Sequence, residues 1–179
     1  LLQQEVVRRG VKLTILPGAD ITVTPELPLY LAQHSQLTIN GTGKYFLAEL
    51  PHDAVPARWE EFLLSLRARG MTPIITHPER NHWFINHPDA LYSFVLAGGM
   101  VQITAMSILG GNGPDSRDYC KQLLKRGLVH AIASDAHSIV QRPPLLAEAF
   151  RATQDVIGET QARRLVCDIP QAIIDGQQV

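Results

Sequence analysis

One pattern recurs along this chain and restricts the folds it can adopt. Four times, a stretch with helical periodicity ends at a glycine and is followed by a short, continuously apolar run and then by polar residues. The four runs are VKLTIL after Gly10, MTPIIT after Gly70, MVQIT after Gly99 and LVHAIAS after Gly127. Glycine ends helices readily because it adopts the left-handed conformation without a Cβ clash. Continuously apolar strands are typical of a parallel sheet covered by helices, so we predict an α/β barrel or a doubly wound sheet.

Other segments complete the α/β pattern. A fifth apolar run, KYFLAEL, follows the turn-like stretch NGTGK, and we predict a strand there that forms a hairpin with the preceding LTI. Apolar residues at helical spacing predict helices over residues 57–69, 88–97, 117–126, 143–156 and 159–166. Pro88 and Pro143 suit first turns, and Ser116 is expected to cap the third helix.

Composition excludes several classes of protein. The 179 residues are enough for one domain with a core, residues 1–179, and the net charge of -1 gives no sign of nucleic-acid binding. No apolar run is long enough to span a bilayer. Cys120 and Cys167 are too few for a disulfide framework, which favours a reducing, cytoplasmic location. The opening LLQQEVVRRG has the pattern of the last turns of a helix, so we expect an N-terminal truncation; an ordinary processed terminus is the alternative.

Acidic and imidazole side chains stand where the predicted strands end. Asp20 follows VKLTIL, Glu49 lies near the end of KYFLAEL, and His77 follows MTPIIT. Asp135 and His137 follow LVHAIAS, two residues apart. Because active sites of α/β barrels lie at the carboxyl ends of the strands, we expect these side chains to meet. Carboxylate oxygen and imidazole nitrogen are ligands of divalent cations, so the sequence predicts a metal site.

Each of these residues also has a simpler explanation. Asp20 fits an ordinary turn, and Asp135 fits a helix cap. Glu49 could be a surface carboxylate at a strand end, and His77 a core or surface histidine. The convergence of all of them favours metal ligation. A bridging position between two metals would also explain why Glu49 stands in an otherwise apolar strand, where an unpaired carboxylate is costly to bury.

Two arginines flank the predicted ligands. Arg80 follows His77 by three residues, and Arg142 follows His137 by five. The planar guanidinium binds phosphate oxygens in pairs, so we predict that both arginines hold a phosphoryl group; surface arginines are the alternative. The other histidines are interpreted as solvated or structural: His34, His52, His82, His87 and His130.

A second phosphatase-like motif is interpreted as chance. Cys120 and Arg126 match C-x5-R, the spacing of cysteine-dependent phosphatases. That chemistry needs a loop of backbone N–H groups and an ionised thiol at a helix N-terminus. The segment CKQLLKR contains no glycine and is typical of the middle of a helix, with Cys120 on the buried face.

At these motifs the sequence resembles a known family. THPERN, MVQIT with the following S-x-L-G-G, GLVHAIASDAH and RPP are similar to the bacterial metal-dependent protein-tyrosine phosphatases of capsule and exopolysaccharide systems. Those belong to the PHP (polymerase and histidinol phosphatase) superfamily. The resemblance implies a distorted (β/α)7 TIM-like barrel with up to three divalent metals, manganese first among Mn, Fe, Zn and Mg. It also implies hydrolysis of phosphotyrosine on a tyrosine autokinase that controls polysaccharide export.

By position, the resemblance assigns Glu49 as a bridging carboxylate and His77, Asp135 and His137 as metal ligands, with Arg80 and Arg142 on the phosphate. Asp20 stands where the family usually has Glu. The family also begins with a strand carrying His-x-His, an Asp-rich loop and a further His, none of which precedes Leu1. Two alternatives stay open: a small-molecule phosphatase of the same superfamily, such as one acting on histidinol phosphate, and a non-catalytic scaffold with a degenerate metal site. The sequence leaves oligomerisation open.

Overall fold

The framework of the protein is a parallel sheet with its strands in sequence order. The structure, a computed structural model, describes residues 2–51 and 55–179. The strands are β1 (Asp20–Thr22), β2 (Tyr45–Glu49), β3 (Thr72–Thr76), β4 (Met100–Thr104) and β5 (Ala131–Ala133). Every adjacent pair is parallel. The predicted α/β class is therefore confirmed.

Helices and helical turns fill the connections. The helices are α1 (Leu2–Arg8), α2 (Leu27–Gln33), α3 (Trp59–Arg67), α4 (His82–Asn86), α5 (Ala90–Leu96), α6 (Ala105–Ile108), α7 (Pro114–Lys125), α8 (Ala147–Ile157), α9 (Glu159–Arg163) and α10 (Ile169–Ile174). Short 3-10 turns cover Ser35–Leu37, Ile39–Gly41 and Pro78–Arg80, and a π-helical turn covers Arg164–Asp168. No helix in the part of the chain that the structure describes is both long and apolar enough to cross a membrane.

The main core lies between one face of the sheet and the helices. Parallel strands that follow one another in order, joined by right-handed crossovers, place their helices on the same face. Phe46, Ile75 and Val101 extend from that face and are fully buried. They belong to one hydrophobic cluster with Leu63 of α3 and Leu123 of α7. This layer fixes the strands against one another and so fixes their carboxyl ends.

The opposite face of the sheet is covered near the beginning of the strands. Tyr45, Ile74 and Met100 form a second cluster there with Ile173 of α10. The Tyr45 hydroxyl also donates to the Gln177 carbonyl at 2.7 Å. Both faces of the central strands are therefore buried, as the continuously apolar runs predicted. Toward the strand ends this second face becomes polar, and the candidate site lies there.

Most predicted elements are present, some with different bounds. The strands at KYFLAEL, MTPIIT, MVQIT and LVHAIAS are confirmed, although the last is paired only over Ala131–Ala133. Trp59, Leu63 and Leu66 of α3 are buried on one face, and Phe62 packs partly buried against them. The helix predicted over 159–166 is present as α9 and the beginning of the π-helical turn, and helical structure continues beyond it into α10.

The prediction of a strand at VKLTIL is wrong. The segment lies outside the sheet, and its Val11, Leu13 and Leu16 are exposed. The first strand is the DIT segment four residues later, which pairs with β2 from Asp20↔Leu47 to Thr22↔Glu49. Apolar and β-branched composition favours an extended chain, but pairing decides which extended segment becomes a strand. Asp20 consequently begins β1 instead of following a strand.

Four local predictions also fail. LTI forms no hairpin: Leu37 ends one 3-10 turn and Ile39 begins the next, in which Asn40 is in the left-handed conformation (φ 54°). Helix α7 begins at Pro114 after Gly113, and Ser116 is buried within its first turn instead of capping it. Pro143 and Pro144 precede α8, which begins only at Ala147. The left-handed residue after α5 is Gly98 and not Gly99.

Candidate metal centre and phosphate-binding site

Three of the predicted ligands meet at the carboxyl end of the sheet. The imidazole Nε2 of His77 lies 3.4 Å from Asp20 Oδ2 and 3.4 Å from Glu49 Oε1. One ligand atom from each of the three residues lies within 4.8 Å of the other two. His77 is only 5% exposed, whereas the two carboxylates are partly open to solvent. The sheet thus presents a compact donor set with one open side.

Strand register brings these three side chains together. Thr22 of β1 is level with Glu49, so Asp20 lies two residues lower on the same face. The Thr76 hydroxyl donates to Asp20 Oδ1 at 3.0 Å, which orients that carboxylate. His77 directly follows β3, and its backbone N–H donates to the Gln102 carbonyl at 2.9 Å. The backbone of β1, β2 and β3 therefore holds the donors in place.

His77 adopts a backbone conformation that is uncommon for residues other than glycine. Its φ of 35° is in the left-handed region, and Pro78 and Arg80 follow in a tight 3-10 turn. Burial by itself would lower the pKa of His77, and Arg80 acts in the same direction. The hydrogen bond to Asp20 and the carboxylates of Asp20 and Glu79 outweigh these effects, so the pKa of His77 is raised.

Asp135 and both arginines form a second group of charges. Arg80 Nη1 donates to Asp135 Oδ2 at 2.9 Å, and the Arg142 guanidinium bonds to the same oxygen. All three side chains are partly buried. Asp135 has a φ of 50°, a second left-handed residue at this edge. The structure thus places Asp135 against the arginines and outside the Asp20–Glu49–His77 group.

His137 is the most exposed of the predicted ligands. Its side chain is 60% exposed, and its Nδ1 lies 2.9 Å from the Asp135 carbonyl oxygen. A carbonyl oxygen can only accept, so this bond requires a proton on Nδ1, and in the neutral imidazole Nε2 then has a free lone pair. That tautomer is the one in which Nε2 can bind a cation. The geometry is compatible with a ligand role for His137 without bringing it into the three-residue group.

The three-residue group fits a divalent cation in its chemistry and its spacing. Metal–oxygen and metal–nitrogen bonds of about 2.0 to 2.2 Å place ligand atoms at most about 4.0 to 4.4 Å apart. The ligand atoms of Asp20, Glu49 and His77 lie within 4.8 Å of one another, and two of the separations are 3.4 Å. Nitrogen and carboxylate oxygen without thiolate suit Mn, Fe, Zn or Mg. The shorter Asp20, where the resembled family usually has Glu, still reaches the group. The fit supports metal binding here.

Two residues that hold the site were missed by the sequence analysis. Thr76 orients Asp20 through its hydroxyl. Glu79 is completely buried, and its Oε1 accepts the Thr104 N–H at 2.9 Å, which ties the turn after His77 to the end of β4. Burial raises the pKa of Glu79, opposed by hydrogen bonds from Ser107 and Thr104. Nothing in the sequence around Glu79 marks it as buried, so this role could not be predicted from the sequence.

The remaining histidines and the C-x5-R motif behave largely as predicted. His34, His82 and His87 are exposed, His130 is mostly buried and accepts the Val101 N–H, and His52 lies outside the described residues. Cys120 is fully buried within α7, and burial raises the pKa of its thiol. Arg126 instead binds Asp89 and the Pro88 carbonyl. A buried neutral thiol cannot be a nucleophile, so the interpretation as chance is confirmed.

A cavity of about 1030 Å³ opens at the other edge of the sheet, where the strands begin. Tyr45, Thr72 and Met100 line it together with cations such as Lys125 and Arg164. Its described lining contains no Asp or Glu side chain. Arg67 and Lys125, in the last turns of α3 and α7, complement the dipoles of those helices. Its size does not make it the metal centre, because it offers no carboxylate ligand.

The chain is similar to a defined group of bacterial proteins. The family described as capsular polysaccharide synthesis, CpsB/CapC, matches residues 1–175. YwqE of Bacillus subtilis (strain 168), described as a tyrosine-protein phosphatase, is 36% identical over 157 residues, which are 88% of this chain and 61% of YwqE. CapC of Staphylococcus aureus is 34% identical over 146 residues, 82% of this chain and 56% of CapC. The chain thus spans about three fifths of the length of these curated relatives.

A solved structure shows the same fold. It is described as crystal structures of YwqE from Bacillus subtilis and CpsB from Streptococcus pneumoniae, unique metal-dependent tyrosine phosphatases. The match has a TM-score of 0.93 and 31% sequence identity. It covers 99% of this chain and 71% of the solved one. The parallel sheet described above is therefore an architecture already seen in these proteins.

Proposed function

The chain belongs to the CpsB/CapC family of capsular polysaccharide synthesis, and on that premise we propose that it acts as a metal-dependent protein-tyrosine phosphatase. The observation that carries the proposal is the placement of Asp20, Glu49 and His77 beside two arginines at one edge of the sheet. A set of metal ligands next to cationic hydrogen-bond donors is what phosphomonoester hydrolysis requires. Similarity to YwqE, a tyrosine-protein phosphatase, and to a solved structure of metal-dependent tyrosine phosphatases supports this choice of chemistry.

Metal binding is assigned to Asp20, Glu49 and His77, with Asp135 and His137 as further ligands and Glu49 as the bridging carboxylate. Divalent cations in this site supply Lewis-acid activation of water and of the phosphoryl group. We favour manganese and a site of up to three ions, with Fe, Zn and Mg as alternatives. The position of Asp20 speaks against the scaffold alternative. Thr76 orients its carboxylate, which lies close to Glu49 and His77 as metal binding requires.

The arginines bind and orient the phosphate. Arg80 and Arg142 meet at Asp135, so their guanidinium groups already converge on one point. A phosphoryl oxygen can take the place of the Asp135 carboxylate, which then becomes available to a cation. Both arginines offer paired N–H donors to the equatorial oxygens, where negative charge is concentrated during transfer. The phenolate of tyrosine is a good leaving group and needs little proton donation.

The strand order supports a distorted (β/α)7 TIM-like barrel as the complete fold. A doubly wound sheet reverses its strand order at a switch point, whereas β1 to β5 follow one another without reversal. Barrels have that order and place active sites at the carboxyl ends of the strands. Among the described residues β1 and β5 are the outer strands, so further strands would join there.

The proposed substrate is a phosphotyrosine protein, specifically the tyrosine autokinase of a polysaccharide-export system. We propose a cytoplasmic location for the phosphatase, where it would meet the kinase. The free cysteines Cys120 and Cys167 fit a reducing compartment of this kind. The same site could also hydrolyse a small phosphate monoester such as histidinol phosphate, which differs from phosphotyrosine in the leaving group. The fold class cannot separate these substrates, because specificity depends on the pocket.

The test is a substrate panel with the full-length protein. Turnover of p-nitrophenyl phosphate, a phosphotyrosine peptide and histidinol phosphate is measured with added manganese and again with a chelator. We expect hydrolysis of the two aryl phosphates that disappears with the chelator. A clear preference for histidinol phosphate would favour the small-molecule alternative. Absence of metal-dependent turnover, together with no bound metal by elemental analysis, would support the scaffold and contradict the proposal.

A further inference from the structure

The loop that carries Arg142 presents two apolar side chains to solvent. Ile139 is 91% exposed and Val140 is 80% exposed, more than any other large hydrophobic residue within 2–51 and 55–179. A single exposed apolar side chain needs no explanation. Two adjacent β-branched residues at the tip of one loop, two residues before a predicted phosphate ligand, are a more specific feature.

Hydrogen bonds close this loop into a compact turn. The N–H groups of His137 and Ser138 both donate to the Arg142 carbonyl, at 3.0 and 3.2 Å. The Ser138 hydroxyl in turn accepts the N–H groups of Gln141 and Arg142, at 2.9 and 3.0 Å. The turn therefore has few ways to fold back and cover its own tip. Ile139 and Val140 are presented outward by the backbone that also positions His137 and Arg142.

We propose that Ile139 and Val140, the apolar tip, dock the polypeptide that carries the phosphotyrosine, by contacting apolar side chains next to the tyrosine. This inference rests on the proposed function. A phosphate held by Arg142 brings the neighbouring residues of its polypeptide over the tip, whereas a small phosphate monoester would not reach it. β-Branched side chains lose little rotamer freedom on burial, which suits them to such a contact. The substrate class is therefore a polypeptide with apolar residues flanking phosphotyrosine.

The test separates docking from chemistry with three probes. The full-length protein is assayed on p-nitrophenyl phosphate, on a phosphotyrosine peptide with leucine and isoleucine flanks, and on the same peptide with serine flanks. The variant is Ile139→Ser with Val140→Ser. The control is Leu96→Ser, because Leu96 is 70% exposed at the end of α5, near the opposite edge of the sheet.

The apolar-flanked peptide should lose about tenfold in kcat/KM in the double variant, through KM, since two partly buried apolar contacts are removed. The serine-flanked peptide, p-nitrophenyl phosphate and the control variant should change little. Equal kcat/KM of wild type and double variant on the apolar-flanked peptide would overturn the inference.

Two further outcomes would also overturn it. A parallel loss on p-nitrophenyl phosphate would mean that the tip supports the site's own folding. Dissociation of a wild-type dimer by the double substitution, with peptide KM unchanged, would mean that the tip joins two copies of the chain. If the wild type hydrolyses none of the three probes, the proposed function itself fails, which is a distinguishable result.

Discussion

The candidate site has one half built on strands and one built on a loop. The strand half is Asp20, Glu49 and His77, and the loop half is Asp135, His137 and Arg142. The sheet ladder fixes the strand half, since the three side chains are brought together by register and by the hydrogen bonds of Thr76 and His77. The loop half is held by its own backbone hydrogen bonds and by ion pairs to Asp135 that a phosphate can replace. We therefore expect changes in the strand half to affect metal binding, and the change of Arg142 in the loop half to affect substrate binding.

The largest effect is expected from His77→Ala in the strand half. Removing the imidazole leaves the strand half with two carboxylates and no nitrogen donor of its own, so bound metal and kcat/KM on p-nitrophenyl phosphate should fall at least about 100-fold. Elemental analysis and steady-state kinetics measure both quantities. His82→Ala is the matched control, because His82 is exposed five residues later. Retained activity and metal in His77→Ala would show that the strand half is not the metal site.

A smaller effect is expected from Arg142→Gln in the loop half. Loss of one of two guanidinium groups on the phosphate should raise KM about tenfold while bound metal stays unchanged. Arg126→Gln is the control, because Arg126 pairs with Asp89 away from the site. Steady-state kinetics at saturating manganese measure the change in KM, and elemental analysis measures the bound metal. A loss of bound metal in Arg142→Gln would remove the distinction drawn between the halves.

The turn between the halves is tested by Glu79→Ala. Glu79 lies between His77 and Arg80, and its replacement leaves the buried Thr104 N–H without its acceptor. We expect the free energy of unfolding to fall by about 2 kcal/mol, measured by urea denaturation. The exposed Glu148→Ala should change it by about 0.5 kcal/mol or less. Equal stability of the two variants would contradict the anchoring role of Glu79.

The smallest effect, on the pH dependence of stability, is expected from His130. This residue directly precedes β5, the strand that leads into the loop half. Burial lowers the pKa of His130, partly opposed by a hydrogen bond to the Leu128 carbonyl. At this position the folded chain binds a proton less readily than the unfolded chain, so the contribution of His130 to stability should decrease as pH falls below about 6.5. His130→Gln should reduce that decrease when urea unfolding is compared at about pH 8 and about pH 5.5. An unchanged pH dependence would exclude His130 as its source.

Sequence patterns predicted the strand half better than the loop half. The apolar runs located β2 and β3, and therefore Glu49 and His77, because burial on both faces leaves a strong compositional signal. Asp20 was identified for an incorrect reason, since VKLTIL is not the strand it was thought to follow. Short strands such as β1 depend on pairing, which composition does not encode.

The loop half shows why side-chain partners are harder to predict. Asp135 and His137 were expected to act alike because they stand two residues apart. The backbone instead turns at Asp135, so its carboxylate meets Arg80 and Arg142 while His137 faces solvent. The predicted helix start at Pro143 failed in the same region, because the backbone from His137 to Arg142 closes on itself first. Long-range ion pairs and loop closure leave no periodic signal in a sequence.

The left-handed backbone at His77 and Asp135 has a consequence for how this protein can be stabilised. Such conformations cost about 1 kcal/mol for residues other than glycine, and somewhat less for asparagine and aspartate. In the described chain, four residues other than glycine have a positive φ, and two of them, His77 and Asp135, are proposed metal ligands. A search for thermostable variants would tend to select glycine or asparagine at these positions and remove the imidazole or weaken the carboxylate. Stability and catalysis compete directly at these two backbone positions, so stabilising changes are better sought elsewhere in the chain.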